Sequence, residues 1–154
     1  MEKEYRKKLN VSAIENGTVI DHIPADNFYQ VLRILNLEKN DYTVFGGTNL
    51  DSKKMGKKGI IKVSDKFFEA EEINKIALAA PHATLIIIKD YKIIDKKNVE
   101  IPDNINKIVK CFNPNCITNN QKIITKFKFI SKENLKLHCH YCEKITSKNN
   151  IKFI

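Results

Sequence analysis

Two short segments, CFNPNC at residues 111–116 and CHYC at residues 139–142, decide the fold of the last third of this chain. They contain all four cysteines, as two close pairs separated by 22 residues. Zn2+ prefers four thiolates in a closed tetrahedron, and such ligands usually come as two close pairs. The pattern predicts one structural Zn2+ ion in a small antiparallel β domain, with the ligands Cys111, Cys116, Cys139 and Cys142.

Other interpretations of these cysteines remain open at this point. They include four unrelated buried thiols, and a redox pair at Cys139 and Cys142 that leaves the other pair unexplained. His138 or His140 is also able to replace a thiolate as a ligand. A closed four-sulfur centre has no open coordination position, so it predicts a scaffold or docking module and not a catalytic centre.

The positive charge of the chain is concentrated in the same region. Residues 1–104 have 17 basic and 16 acidic side chains, whereas residues 105–154 have 10 basic and 2 acidic ones. A basic zinc module of this kind is suited to nucleic acid or to an acidic protein surface.

A nucleic-acid-binding zinc-ribbon protein is therefore the alternative function. Lys126 and Lys128 alternate with Phe127 and Phe129, which supports it. Only two of the 27 basic residues are Arg, and Arg is the side chain that best grips phosphates and base edges. We therefore expect a protein partner and consider nucleic acid the less favoured one.

Nothing in the composition indicates a membrane protein or a secreted one. No apolar run approaches the about 20 residues that a membrane-spanning helix needs. Residues 1–9 are charged and lead into no apolar core, unlike a secretory signal. Because clustered thiols without a signal favour a reducing compartment, we expect a cytoplasmic protein.

The first hundred residues combine strand and helix patterns. The predicted elements are a strand at 17–23, a helix from 26 to 35, strands at 42–45 and 60–63 flanking a loop at 48–59, a helix at 65–80, a strand at 84–88 and a further short strand at 91–94. This order predicts an α+β protein with a ferredoxin-like β-α-β-β-α-β domain over residues 1–101. Residues 95–107 read as a linker, and the zinc-binding domain follows over residues 105–154.

No catalytic constellation is visible. The glycines do not form a phosphate-binding loop, and the serines lie in no nucleophile motif. Asp21 and His22 are adjacent in a predicted strand, so we expect them to point to opposite faces and to form no acid–base dyad. We therefore do not expect an enzyme.

Several motifs, taken together, resemble the regulatory chain of aspartate carbamoyltransferase. They occur in the family's order and at its distances: GTVIDHIP at 17–24, MGKK at 55–58, Ile61-Lys62, Ala80-Pro81, and the cysteine segments ending in Glu143-Lys144. The similarity extends from about residue 11 to residue 151. It implies a non-catalytic subunit in which a ferredoxin-like nucleotide-binding allosteric domain is joined to a zinc domain.

The resemblance also implies effectors and a pocket for them. In this family CTP inhibits, ATP activates and UTP acts with CTP, in pyrimidine biosynthesis. The matching nucleotide-binding positions are Val11, Ala13, Ile14, Val19, Asp21, His22, Lys58, Lys62, Ile88, Tyr91, Ile93 and Lys96. Lysine side chains at 62 and 96 suit phosphate and ribose oxygens, the carboxylate at 21 suits a ribose hydroxyl or a base amine, and main-chain groups near 14 and 91 suit the base edge. A compared member of this family has Asn at the position of Ile86. The apolar Ile86 side chain therefore lacks a polar contact to the nucleotide that the resemblance would imply.

The resemblance further implies partners. Regulatory homodimers pair through the N-terminal domain and dock on the catalytic chain through the zinc domain. Two catalytic trimers and three regulatory dimers then form a dodecamer. The positions that match contacts with the catalytic chain are Asn113, Asn115, Glu143 and Lys144.

Overall fold

The computed structural model describes residues 13–131 and 133–154, which belong to two compact units. The first unit ends at Val99, and the second spans Glu100–Ile154. In the parts of the chain that the structure describes, every helix is too short or too polar to span a bilayer.

The described part of the first unit contains five strands and two α helices. They are β1 (Gly17–Pro24), a 3-10 turn (Ala25–Asn27), α1 (Phe28–Ile34), β2 (Val44–Ser52), β3 (Gly56–Ser64), α2 (Ala70–Ala79), β4 (Thr84–Lys89) and β5 (Lys92–Asn98). The strands form one antiparallel sheet in the order β2-β3-β1-β4-β5. The first four strands and both helices have the predicted ferredoxin-like arrangement, and β5 adds an edge strand, so the α+β class is confirmed.

Two predictions for this unit are wrong. The predicted loop at 48–59 belongs to a long hairpin, because β2 and β3 pair from Val44↔Val63 to Ser52↔Gly56. Backbone pairing sustains this hairpin even though most β2 side chains are exposed or half-buried. The second helix begins at Ala70 and not at Asp65, because Asp65 has a left-handed φ of 59°. Its start is fixed by a capping box between Glu69 and Glu72.

One face of the sheet packs against the helices. Phe28, the first residue of α1, lies against Gly46 and Gly59 of the β2–β3 hairpin. On β3, Ile61 and Val63 share the face of Gly59 by alternation, and both are fully buried. This face is the core of the first unit, so the opposite face of the sheet is left for other contacts.

Replacing Gly59 by Ala should destabilise the first unit by about 1–3 kcal/mol, because it overpacks this core. A Cβ at Gly59 would lie 2.8 Å from Cδ2 of the Phe28 ring. Gly47→Ala is the matched control, since its Cβ would meet Leu50 at an ordinary 3.7 Å. Hydrogen exchange of the buried β3 amides measures the free energy of opening in both variants. Equal protection in the two variants would contradict the packing described for Phe28.

The described part of the second unit is a small antiparallel β structure. Its elements are β6 (Asn104–Asn106), β7 (Val109–Lys110), α3 (Ile117–Asn120), β8 (Lys126–Ser131), β9 (Lys136–Cys139), β10 (Ile145–Ser147), a 3-10 turn (Lys148–Asn150) and β11 (Lys152–Phe153). One sheet has the order β10-β9-β8-β6, and β11 pairs with β7. The predicted linker at 95–107 is wrong at both ends, because residues 95–98 belong to β5 and residues 104–106 form β6.

Candidate metal centre and ligand face

The four cysteine sulfurs form one compact group. All four Sγ atoms lie within 4.8 Å of one another. The Sγ atoms of Cys111 and Cys142 are 3.7 Å apart, and those of Cys116 and Cys139 are 3.8 Å apart. Four sulfurs at about 2.3 Å from a Zn2+ ion at the centre of a tetrahedron are about 3.8 Å from each other. The group therefore fits a single structural zinc ion, as predicted.

The same geometry decides between the interpretations that the sequence left open. Each of these two sulfur pairs joins the first cysteine segment to the second, as a shared ion requires and a redox pair within one segment does not. Within the described residues, the metal-ligating group contains neither His138 nor His140. The centre is thus an all-thiolate site.

Local hydrogen bonds shape the two ligand segments. The side-chain amide of Asn119, in α3, donates to the carbonyl oxygens of Cys111 at 2.9 Å and Asn113 at 2.7 Å. In the second segment the Cys139 carbonyl accepts from the N–H of Glu143 at 3.0 Å. Glu143 has a left-handed φ of 63°, which closes this turn tightly. Both turns therefore hold their sulfurs inward.

The thiols differ in how readily they ionise. Burial raises the pKa of Cys111 and Cys139, against the opposing effect of backbone N–H groups. Burial by itself would also raise the pKa of Cys142, but hydrogen bonds from the Lys144 N–H and the Asn113 side chain lower it to about 7. A metal ion must therefore displace protons from Cys111 and Cys139, so metal binding should strengthen as the pH rises.

The four positions expected to contact a catalytic chain lie in these two turns. Asn115, Glu143 and Lys144 are exposed. Asn113 is only 7% exposed, its Oδ1 accepts from the Asn115 N–H at 3.1 Å, and its side chain donates to the Cys142 sulfur. The Asn113 side chain is therefore engaged within the centre, and the other three side chains are turned to solvent.

The β8 strand separates its lysines from its phenylalanines. Lys126 and Lys128 are exposed, whereas Phe127 is 2% exposed and Phe129 is half-buried. Alternation places the two phenylalanines on the inner face of the sheet and the lysines on the outer face. Phe127 is therefore unable to stack on a base, which removes a main support for the nucleic-acid alternative.

In the first unit, the expected nucleotide positions gather on the sheet face opposite the helices. Val19 in β1 pairs with Lys62 in β3 and with Ile86 in β4. Ile86 in turn pairs with Lys96 in β5. A row of four side chains thus crosses β3, β1, β4 and β5. We call this surface the ligand face. Ile14, Val19 and Ile88 form an apolar cluster on it, against which Ile60 and Ile86 pack.

Two irregularities in strand pairing bring further positions onto the ligand face. In β1 the pairs Ile20↔Ile61 and Ile23↔Gly59 enclose an extra residue, and His22 has a left-handed φ of 58°. The His22 ring contacts Thr84, the cross-strand partner of Asp21, so both Asp21 and His22 lie on this face. The expectation of opposite faces is wrong, because a β-bulge interrupts the alternation.

A similar irregularity lies in β5. Ile88 pairs with Ile93 and Ile86 pairs with Lys96, so the bulge lets two residues three positions apart share one face. Without it, Ile93 and Lys96 would lie on opposite faces of the strand.

Asp21 is the carboxylate at the centre of the basic groups on this face. Its Oδ1 accepts from Nζ of Lys58 at 2.7 Å and from the His22 N–H at 2.7 Å. Burial tends to raise the pKa of Asp21, but these two donors hold it below its usual value. Lys62 is 6% exposed, and burial lowers its pKa against the opposing effect of Asp21. Burial also lowers the pKa of His22, and nearby lysines, among them Lys54, act in the same direction.

Other expected positions are less central. Val11 lies outside the described residues, and Ala13 is exposed. Tyr91 is in the β4–β5 turn and 67% exposed, and its N–H donates to the Glu15 carbonyl at 2.9 Å. The Tyr91 N–H is therefore not available to hydrogen-bond a ligand. The same bond to Glu15 holds the β4–β5 turn close to the neighbouring Ile14.

A ferredoxin-like unit with a basic sheet face, followed by a unit built around a four-thiolate centre, defines a two-unit α+β protein stabilised by a metal. Family models match both units: "Aspartate carbamoyltransferase regulatory chain, allosteric domain" over residues 9–100, and the "metal binding domain" of the same chain over residues 103–152. The chain is also similar to curated aspartate carbamoyltransferase regulatory chains. The one from Bacteroides fragilis is 51% identical over 98% of this chain and 99% of the relative, and the one from Thermococcus sibiricus is 52% identical over 94% and 96%.

The chain therefore belongs to the family of aspartate carbamoyltransferase regulatory chains, which confirms the resemblance seen in the sequence motifs. It is a regulatory and not a catalytic chain, with an allosteric domain and a metal-binding domain.

Proposed function

We propose that this chain binds nucleoside triphosphates on the ligand face and docks through its metal unit onto the catalytic chain of aspartate carbamoyltransferase. CTP, ATP and UTP are the proposed effectors, and control of pyrimidine biosynthesis is the proposed role. The proposed assembly joins three regulatory dimers to two catalytic trimers. The observation that carries the nucleotide proposal is the row of Lys62, Val19, Ile86 and Lys96, which has a lysine at each end and apolar side chains between them.

The chemistry of the ligand face suits such a ligand. Lysine side chains at 58, 62 and 96 offer charge-assisted contacts to phosphate oxygens. Asp21, already ionised by its contact with Lys58, offers acceptors for ribose hydroxyls. The cluster of Ile14, Val19 and Ile88 offers an apolar surface for a base.

Ile86 bears on effector selectivity. It lies between Val19 and Lys96 and packs against the apolar cluster, so it offers the ligand no polar group. Bases are then distinguished by main-chain groups and by neighbouring side chains. We propose that this chain discriminates less strongly between CTP and ATP than a chain with Asn at this position.

Docking is proposed to use the exposed side chains of the metal turns, namely Asn115, Glu143 and Lys144. Asn113 supports them from within, through its contacts with Asn115 and Cys142. An effector changes catalysis only if it binds two quaternary states with different affinity, and about 1–3 kcal/mol of coupling is typical. Because coupling is reciprocal, a substrate analogue on the catalytic trimer should change nucleotide affinity here.

Titration calorimetry of the zinc-loaded chain, alone and assembled with catalytic trimers, tests this function. We expect CTP and ATP to bind saturably and to exclude each other, since both carry a triphosphate. We also expect the affinity of the chain for these nucleotides to change when the trimers bind a substrate analogue. The same chain mixed with single-stranded RNA is the control for the alternative function. Steeply salt-dependent RNA binding without nucleotide binding would favour the nucleic-acid-binding protein and refute the proposal.

A further inference from the structure

A chain of side-chain hydrogen bonds leads from the ligand face across β4 to the last residue of β5. Nδ1 of His22 lies 3.0 Å from Oγ1 of Thr84. The Thr84 hydroxyl in turn donates to Oδ1 of Asn98 at 3.3 Å. Thr84 is only 4% exposed, so water competes little for either contact. Neither Thr84 nor Asn98 stood out in the sequence.

The direction of this chain decides which ring nitrogen of His22 carries the proton. A hydroxyl has a single proton, and Thr84 gives it to the carbonyl oxygen of the Asn98 side chain. Oγ1 of Thr84 is therefore the acceptor in the contact with His22, so Nδ1 of His22 is the donor. The neutral ring then has its lone pair on Nε2.

The Nε2 lone pair of His22 lies in a basic environment. His22 is the left-handed residue of the β1 bulge, and its ring lies among the charges of Lys54, Lys58 and Lys96. Within residues 13–131 and 133–154, Nε2 has no hydrogen-bond partner. Burial, together with these lysines, lowers the pKa of His22 against the effect of Asp21, which favours the neutral ring.

We propose that Thr84 and Asn98 are positioning residues that hold His22 as the Nδ1–H tautomer, so that Nε2 accepts a hydrogen bond from a hydroxyl or amine of the bound nucleoside. In this arrangement the lysines contact the phosphates, and His22 contacts the sugar or the base. The identity of the ligand rests on the proposed function, whereas the tautomer does not.

The first test measures the tautomer in the absence of nucleotide. Long-range 1H–15N correlation on the 15N-labelled, zinc-loaded full chain at pH 7.5 should show His22 protonated at Nδ1. Thr84→Val, which keeps the shape and removes the hydroxyl, should abolish this preference, and Thr84→Ser should restore it. Protonation at Nε2 in the unsubstituted chain would overturn the proposal, and so would an unchanged tautomer in Thr84→Val.

The second test separates a contact to the nucleoside from one to the phosphates. Thr84→Val should lower the affinity for CTP about fivefold, the usual effect of one lost hydrogen bond. The affinity for inorganic tripolyphosphate should be unchanged. Thr84→Ser should bind both like the unsubstituted chain. An equal loss for tripolyphosphate would overturn the assignment of Nε2 to the nucleoside. If the unsubstituted chain bound no CTP, the proposed function would fail while the tautomer measurement still stood.

Discussion

Replacing Cys111 by Ala should remove the metal from this chain and abolish its assembly with catalytic trimers. The second unit, Glu100–Ile154, is too small to bury enough apolar surface by itself, so the metal supplies much of its stability. Structural zinc contributes about 10 kcal/mol or more to small domains that depend on it. Without the ion, the turns that carry Asn115, Glu143 and Lys144 should lose their shape. Metal content by mass spectrometry and assembly by sedimentation measure the two effects.

His140→Ala is the matched control for this substitution. It changes the residue next to Cys139, and it removes a side chain that sequence reasoning alone allowed as a ligand. We expect full metal content and normal assembly, because His140 lies outside the group of four sulfurs. Nucleotide affinity should be unchanged in both variants, since the ligand face belongs to the first unit. Assembly of the metal-free Cys111→Ala chain with catalytic trimers would refute the docking role of the centre.

The metal centre could be predicted because its determinants are local in sequence. Two close cysteine pairs are sufficient to specify a tetrahedral thiolate site, whatever the surrounding strands do. The short helix α3 was not predicted, since its four residues, ITNN, have little intrinsic helix preference. Asn119, on that helix, holds the first ligand segment through the carbonyl of Cys111, and this role became visible only in the structure.

The ligand face was harder to predict, because it depends on register. Alternation holds at Val19 and Ile20, which lie on opposite faces of β1, but a single extra residue at the bulge reverses the pattern before Ile23. No residue type marks that bulge, since His22 is only moderately unusual with a positive φ. Thr84 was missed for a related reason: it lies opposite Asp21 only once β1 and β4 are paired.

Replacing Lys96 by Ala should lower the affinities for CTP and for ATP by about 10- to 100-fold each. This is the usual effect of losing a hydrogen bond to a charged group. The loss should be shared because both nucleotides carry the same triphosphate, whereas a contact to the base would separate them. Lys96 is on the ligand face, as the cross-strand partner of Ile86. Calorimetry of the zinc-loaded chain with each nucleotide measures the two affinities.

Lys97→Ala is a closely matched control, because it removes the same charge one residue away. Lys97 pairs with Leu85, which is 1% exposed, whereas Ile86 lies on the ligand face, so alternation directs Lys97 to the other side of the sheet. A general effect of net charge would lower nucleotide affinity equally in the two variants, and this effect would decrease at high salt. A loss confined to Lys96→Ala therefore requires a direct contact on the ligand face. Equal affinities in both variants and the unsubstituted chain would exclude Lys96 from the nucleotide site.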